Sequence, residues 1–341
     1  MLKLLASIII ALNVVVNFFL AGSNLTKDAS KNEAPLLFAP SPEIQQMATP
    51  EPIPTKENNA SQAYQLPLQA DTFLITRYLP IFPLRNWNIP EPEIQAKTAL
   101  VYDTAHQEIL YQKNDLYEQR PIASLTKLMT ALVVLENTDL NSVFKISPNA
   151  VQTEGEMGNL RVGEELIVKS LLYALLVNSS NDAAVALAEN IPFPPSEETE
   201  QKFIELMNKK AASLNLKNTY FVDPSGLSAE NYSCAWDISV MLQEVLKYPV
   251  LEEIMQTQEI DLYSIDGKFN HHLVNTDKLL GTVPEIIGGK TGYTEEAGNC
   301  MTAAFGSPNG QGMTVTVLMD SPDRIGETKT LFEWTKKAFL W

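Results

Sequence analysis

The sequence predicts a mixed α/β domain in which helices pack on an antiparallel sheet, and three observations carry that prediction. First, Pro121 precedes an apolar run in which Leu128, Leu132 and Leu135 are spaced to share one helix face. Second, an apolar helical stretch from about Val168 to Val177 breaks at a polar cluster, and an alanine-rich helix begins after Asn181-Asp182. Third, two apolar stretches, about Asn299 to Phe305 and Gly312 to Met319, flank Ser307-Pro-Asn-Gly310, a strong turn signal that predicts paired strands.

Each element carries a short polar run. In Ser124-Leu-Thr-Lys127 the serine falls at a predicted helix N-terminus, where unpaired amides and the helix dipole favour developing negative charge. Lys127, three residues on, returns to the face that carries Ser124, so a nucleophile and a candidate base are neighbours by geometry. A plain N-cap and a solvated lysine would give the same spacing. Ser-x-x-Lys also occurs at Ser142 to Lys145, but there it reads as a short strand, where the two residues point to opposite faces.

Ser179-Ser-Asn181 lies in the tight turn predicted between the two helices, where a hydroxyl and an amide can be aimed into a cleft; simple capping of the second helix is the alternative. Ser-x-Asn recurs at Ser30, Ser147 and Ser307, so the spacing alone is cheap. Lys290-Thr-Gly292 opens the predicted C-terminal strands and supplies a cation, a hydroxyl and an unobstructed backbone edge, which suit a substrate carboxylate and a developing oxyanion.

The three runs, in this order and in these surroundings, resemble the penicillin-binding serine acyl-transferases, and most closely the D-alanyl-D-alanine carboxypeptidases of the low-molecular-weight class. Ala99-Leu-Val-Tyr-Asp103 with Glu108-Ile-Leu-Tyr-Gln112 resembles the family's first hairpin. Phe221-Val-Asp-Pro-Ser-Gly-Leu227, Tyr232 to Asp237, Asn270 to Leu280 and the last helix, Arg324 to Leu340, also fit, so the similarity covers about Gln95 to Trp341. It implies a β-lactamase/transpeptidase-like fold: the hairpin and C-terminal strands form one antiparallel sheet, flanked by helices, with an all-helical subdomain at about 140 to 245.

The resemblance also implies roles. Ser124 attacks the penultimate D-alanine carbonyl of a peptidoglycan stem peptide ending D-Ala-D-Ala, and Lys127, neutralised by burial and by the charge of Lys290, takes its proton. Ser179 passes a proton to the departing amine, and Asn181 orients Lys127 and the substrate amide. Backbone N–H groups of Ser124 and Tyr293 form the oxyanion hole beside Gly292, while Lys290, Thr291 and Arg324 hold the terminal carboxylate. Water hydrolyses the acyl-enzyme, no cofactor enters, and β-lactams are expected inhibitors. Arg324 also reads as an ordinary helix-end cation. Ser180 stands where relatives often have glycine or another small residue.

Composition bounds the rest. In 341 residues, 45% are apolar, enough for a sizeable core, and a net charge of −16 with no basic block excludes a nucleic-acid partner. Residues 1–23 carry one cation, Lys3, before an apolar stretch from Leu4 to about Ala21, which predicts an export signal or a membrane anchor. Residues 24–92 are rich in proline and predict an extended, mostly disordered linker, with Phe73 to Trp87 apolar enough to dock on a catalytic domain at 93–341. That order places the enzyme on the extracytoplasmic face of the membrane, anchored by its N-terminal segment, or secreted. The chain ends soon after the closing helix, so the second domain and C-terminal anchor of many relatives are not expected.

Cys234 and Cys300 sit in distant apolar contexts and predict buried thiols rather than a bridge. No zinc spacing occurs, and none of His106, His271 and His272 belongs to a Gly-x-Ser-x-Gly arrangement. Three alternatives share the motifs: a class A-like β-lactamase, which needs a deacylating carboxylate, with Glu154, Glu156, Glu164 and Glu165 in the relevant stretch; a cross-link-cleaving endopeptidase; and a non-catalytic wall-binding module.

Overall fold

The structure, a computed structural model, describes residues 83–155, 158–192 and 199–341. Residues 1–23, most of the expected linker and Glu156 lie outside the described residues. In chain order come β1 (Leu84–Arg85), β2 (Thr98–Asp103), β3 (Glu108–Lys113) and β4 (Arg120–Pro121), then a 3₁₀ turn (Ala123–Thr126) that runs into α1 (Lys127–Asn137). The helical region holds β5 (Val143–Lys145), α2 (Pro148–Gln152), β6 (Glu165–Ile167), α3 (Val168–Leu176), α4 (Asn181–Asn190), α5 (Thr199–Ser213), β7 (Tyr232–Ser233) and α6 (Ala235–Val245). The chain returns through α7 (Pro249–Gln256), β8 (Glu259–Tyr263) and β9 (Asn270–Val274) to β10 (Ile286–Thr294), β11 (Gly298–Gly306), β12 (Met313–Met319), α8 (Arg324–Ala338) and β13 (Phe339–Leu340).

The main sheet is antiparallel, in the order β10-β11-β12-β2-β3, so the first hairpin joins the C-terminal strands as expected. Both its faces are covered, and alternation along β2 shows how. Leu100 and Tyr102 belong to the large core shared with α1, α3, α4 and α6, whereas Ala99 and Val101 pack with Leu331, Trp334 and Ala338 of α8. Phe305 stacks on Phe332 of α8 with ring centroids 4.0 Å apart. Each such buried apolar side chain contributes about 1.5–3 kcal/mol.

Helix α1 differs from its sequence pattern. The spacing of Leu128, Leu132 and Leu135 suggests one apolar face, yet every residue from Lys127 to Val134 is buried. A helix that is apolar nearly all round belongs in the interior, and α1 is the central helix, packed against α3, α5 and α6.

Leu84 and Arg85 lie within the stretch assigned to the linker, and they pair with Leu340 and Phe339. The Arg85 guanidinium stands 4.9 Å from the Trp334 ring, and its Nη2 donates to the Ile89 carbonyl at 2.6 Å, so a cation and aromatic rings tie this segment to the C-terminal helix. The stray motif copy at Ser30 lies outside the described residues, and the others serve local structure. Ser147 caps α2 by accepting from Ala150 N at 3.0 Å. Lys145 is an exposed strand residue, and Ser307 bonds the buried Asp103, which also holds His106 and so joins the β2–β3 and β11–β12 turns.

Candidate active site

Ser124 occupies the 3₁₀ turn that feeds α1, directly after Ala123, whose φ of +47° is rare for a residue with a side chain. Neither the 3₁₀ turn nor α1 is capped by a side chain, so the Ser124 hydroxyl is not spent on the helix end. It lies instead 2.9 Å from Lys127 Nζ. Lys127 is fully buried, and its Nζ also reaches Asn181 Oδ1 and the Ser225 carbonyl, each at 2.6 Å.

The Ser179–Asn181 turn resolves the choice between capping and cleft. Capping falls to Ser180, whose Oγ accepts from Ala183 N at 3.0 Å. Asp182 supports it from the first turn of α4 and also receives Gly158 N at 2.8 Å and Leu160 N at 3.1 Å. Ser179 and Asn181 are thereby left for the cleft; Ser179 takes φ +61° at the turn. Asn181 Nδ2 donates to the Glu154 carbonyl at 2.8 Å, which fixes its amide oxygen toward Lys127.

The strand wall is β10, at the edge of the sheet, with its outer side against the 3₁₀ turn. Lys290 is buried, and its Nζ lies 2.8 Å from Ser179 Oγ and 2.9 Å from the Thr291 carbonyl. Thr291 Oγ1 donates to Thr276 Oγ1 at 2.7 Å. A Cβ at position 292 would lie 3.0 Å from both Ser124 N and the Ile122 carbonyl, so glycine there lets the strand approach the nucleophile's backbone. Arg324, the first residue of α8, donates from Nη1 to the Gly292 carbonyl at 2.6 Å and thus braces the same strand.

Ser124, Ser179, Asn181, Thr291, Gly292, Tyr293 and Arg324 line one cleft of about 480 Å³, with Gly155, Gly226, Leu227, Thr276 and Thr294; Lys127 and Lys290 stand behind it. All nine residues singled out from sequence therefore meet. The described lining holds no carboxylate: Glu154 offers Asn181 its backbone carbonyl, Glu165 is exposed on β6, and Glu164 is buried against His271 Nε2 at 2.6 Å. Ser225, Gly226 and Thr276 were missed as site residues. The turn signal Asp-Pro-Ser-Gly at 223–226 was the available clue, but nothing local says that the turn folds back onto Lys127. Cys234 and Cys300 are both buried free thiols.

Residues 86–323 match the family model described as D-alanyl-D-alanine carboxypeptidase, Peptidase S11. The chain is 37% identical over 235 residues to D-alanyl-D-alanine carboxypeptidase DacF of Bacillus subtilis, a match covering 67% of this chain and 58% of that protein. It is 35% identical over 220 residues to a D-alanyl-D-alanine endopeptidase of Pseudomonas aeruginosa, covering 62% of this chain and 67% of the relative. Among solved structures, the D-alanyl-D-alanine carboxypeptidase of Mycobacterium tuberculosis superposes with a TM-score of 0.66 at 30% identity, over 73% of this chain and 94% of that one. The buried Ser124–Lys127 pair, the Ser179–Asn181 turn and the Lys290 strand are thus set in a sequence that matches one family over most of its length, and the chain belongs to the D-alanyl-D-alanine carboxypeptidase family.

Proposed function

We propose that this chain is a serine-type D-Ala-D-Ala carboxypeptidase that removes the terminal D-alanine from peptidoglycan stem peptides through an acyl-enzyme. The observation that carries the reading is the contact between Ser124 Oγ and the buried Lys127 Nζ at 2.9 Å. Lys127 is fully buried, and as a neutral amine it can receive the serine proton as Oγ bonds to the penultimate carbonyl carbon. The oxyanion forms beside the Ser124 and Tyr293 N–H groups, donors of a type whose loss costs roughly 3 kcal/mol each. Ser179, hydrogen-bonded to Lys290, delivers a proton to the departing D-alanine amine as the C–N bond breaks. Lys290, Thr291 and Arg324 receive the terminal carboxylate. The proton Lys127 took from Ser124 replaces the one Ser179 gave up, which leaves the amine neutral again; water then attacks the ester, Lys127 takes its proton, and that proton passes to Ser124 Oγ as the acyl C–O bond breaks.

The match of residues 86–323 to the D-alanyl-D-alanine carboxypeptidase family supports this reading over a β-lactamase. The same chemistry predicts inactivation by β-lactams. Action on stem peptides implies an extracytoplasmic location, and we assign membrane attachment to residues 1–23; among the described residues no helix is long and apolar enough to cross a membrane.

The test is incubation of the purified chain with a pentapeptide ending D-Ala-D-Ala and, separately, with a cross-linked stem-peptide dimer. Release of free D-alanine and a tetrapeptide is expected. Cleavage of the dimer with the pentapeptide untouched would replace this reading with the endopeptidase one.

A further inference from the structure

The contacts of Lys127 Nζ include three oxygens, and they differ in kind. Asn181 Oδ1 and the Ser225 carbonyl, each 2.6 Å away, can only accept hydrogen bonds, whereas Ser124 Oγ, 2.9 Å away, can also donate. A neutral amine has two N–H bonds and one lone pair. With N–H bonds directed at these two acceptors, the lone pair can face the Ser124 hydroxyl, which has a proton to give. The Asn181 oxygen is held by the bond from its own amide nitrogen to the Glu154 carbonyl. The Ser225 carbonyl needs a different support, because it belongs to a loop.

That support is Asp223. Its Oδ1 accepts from Ser225 N at 2.7 Å, Ser225 Oγ at 2.8 Å and Gly226 N at 2.6 Å. Its Oδ2 accepts from Ser228 N at 2.9 Å and Asn231 Nδ2 at 2.5 Å. One carboxylate thus gathers the whole turn. The turn is seated on α1 by Thr130 Oγ1, which donates to the Pro224 carbonyl at 2.6 Å. It is seated on the nucleophile's neighbour by Gly226, where a Cβ would fall 2.0 Å from the Ala123 carbonyl. Asp223 does not itself line the cleft, so any effect on the reaction passes through the turn.

We infer that Asp223 is a positioning residue for acyl transfer: its carboxylate folds the 223–228 turn so that the Ser225 carbonyl occupies one N–H of Lys127 and aims the amine lone pair at Ser124. The inference rests on the reading of Lys127 as general base. A purely structural Asp223 would alter how much protein folds without altering how fast the folded protein reacts. The two roles separate in acylation kinetics with a fluorescent penicillin on the full-length chain, with folded protein counted by active-site titration and the limiting acylation rate resolved from the non-covalent Kd.

For Asp223→Ala the limiting rate per folded site is expected to fall by about tenfold or more while Kd changes by less than about twofold. Asp223→Asn keeps the acceptor oxygen for Ser225 and Gly226 but turns an N–H₂ group toward the Ser228 and Asn231 donors, so an intermediate rate is expected. A wild-type limiting rate in the alanine variant overturns the inference; should that variant not fold, the asparagine variant decides by the same criterion. Failure of the underlying reading looks different: Lys127→Ala would then acylate at the wild-type rate, whatever the Asp223 variants do.

Discussion

The two walls of the cleft each bury a lysine and hold a carboxylate nearby, but in opposite ways. On the helical wall, Lys127 faces two pure acceptors and one hydroxyl, and Asp223 is saturated by hydrogen bonds. On the strand wall, Lys290 faces Ser179 and a backbone carbonyl, and the buried Asp277 accepts only from Leu279 N at 2.9 Å, its second oxygen having no hydrogen-bond partner. The pKa directions follow. Burial pushes the Asp277 carboxyl up to about 6 despite the Leu279 N–H and the charges of Lys290 and Lys278. Burial would raise Asp223 too, but the hydrogen bonds from Ser228, Ser225 and Gly226 outweigh it and hold that carboxyl below the usual range. The difference suits the roles proposed above, a Lys127 that exchanges a proton on one wall and a Lys290 that keeps its charge for a substrate carboxylate on the other.

The largest expected effect breaks the first half of that contrast. Lys127→Ala should slow acylation by about 10²–10⁴-fold with little change in non-covalent affinity, as expected for loss of a general base. Stopped-flow acylation measures it, and a rate within a few-fold of wild type would refute the assignment. Lys290→Ala should instead act on binding. Loss of a charged hydrogen bond to the terminal carboxylate should cost about 1.5–3 kcal/mol, roughly 10- to 100-fold in kcat/KM for pentapeptide. Amidation of the peptide's C-terminus should then add little further loss.

A smaller effect concerns stability. Asp277 binds a proton more tightly folded than unfolded, so stability falls as pH rises from about 4 through about 6 and is level above that. The difference is on the order of 2–3 kcal/mol, and Asp277→Asn should recover about 2 kcal/mol at pH 7 and nothing near pH 4. Asp223 has the opposite sign. Its contribution is present above the ordinary carboxylate pKa and is lost only as pH falls through its lowered folded value, so Asp223→Asn should remove stability at pH 7. Denaturant melts of both variants across pH would show the crossing slopes; parallel curves would contradict the contrast. The smallest effect is expected at the thiols. Burial pushes Cys234 up to about 12 and Cys300 to about 11, so neither should react with iodoacetamide in the native protein, and reductant should leave Tm unchanged.

Much of this arrangement was legible in the sequence because it is local. The helix start at Ser124, the turn at Ser179 and the strand at Lys290 each announce themselves through proline, a polar break or an apolar run. The burial of α1 on all sides from Lys127 to Val134 was not legible, since spacing of leucines gives a face while the rest depends on what packs there. The Ser225 carbonyl was not legible either, because a backbone acceptor carries no residue signature and its partner is 98 positions away. Ser180 shows the intermediate case. Its capping role follows from the helix start, yet only the structure shows that this frees Ser179 and Asn181 for the cleft.

The central claim, that Ser124 is made nucleophilic by Lys127, is tested most directly by mapping a penicillin adduct by mass spectrometry on wild-type chain and on the Ser124→Ala and Lys127→Ala variants. The account predicts a long-lived adduct on the Ser124 peptide of the wild type, none in Ser124→Ala and slow accumulation in Lys127→Ala. An adduct on any other residue, or one that forms at the wild-type rate without Lys127, would contradict it.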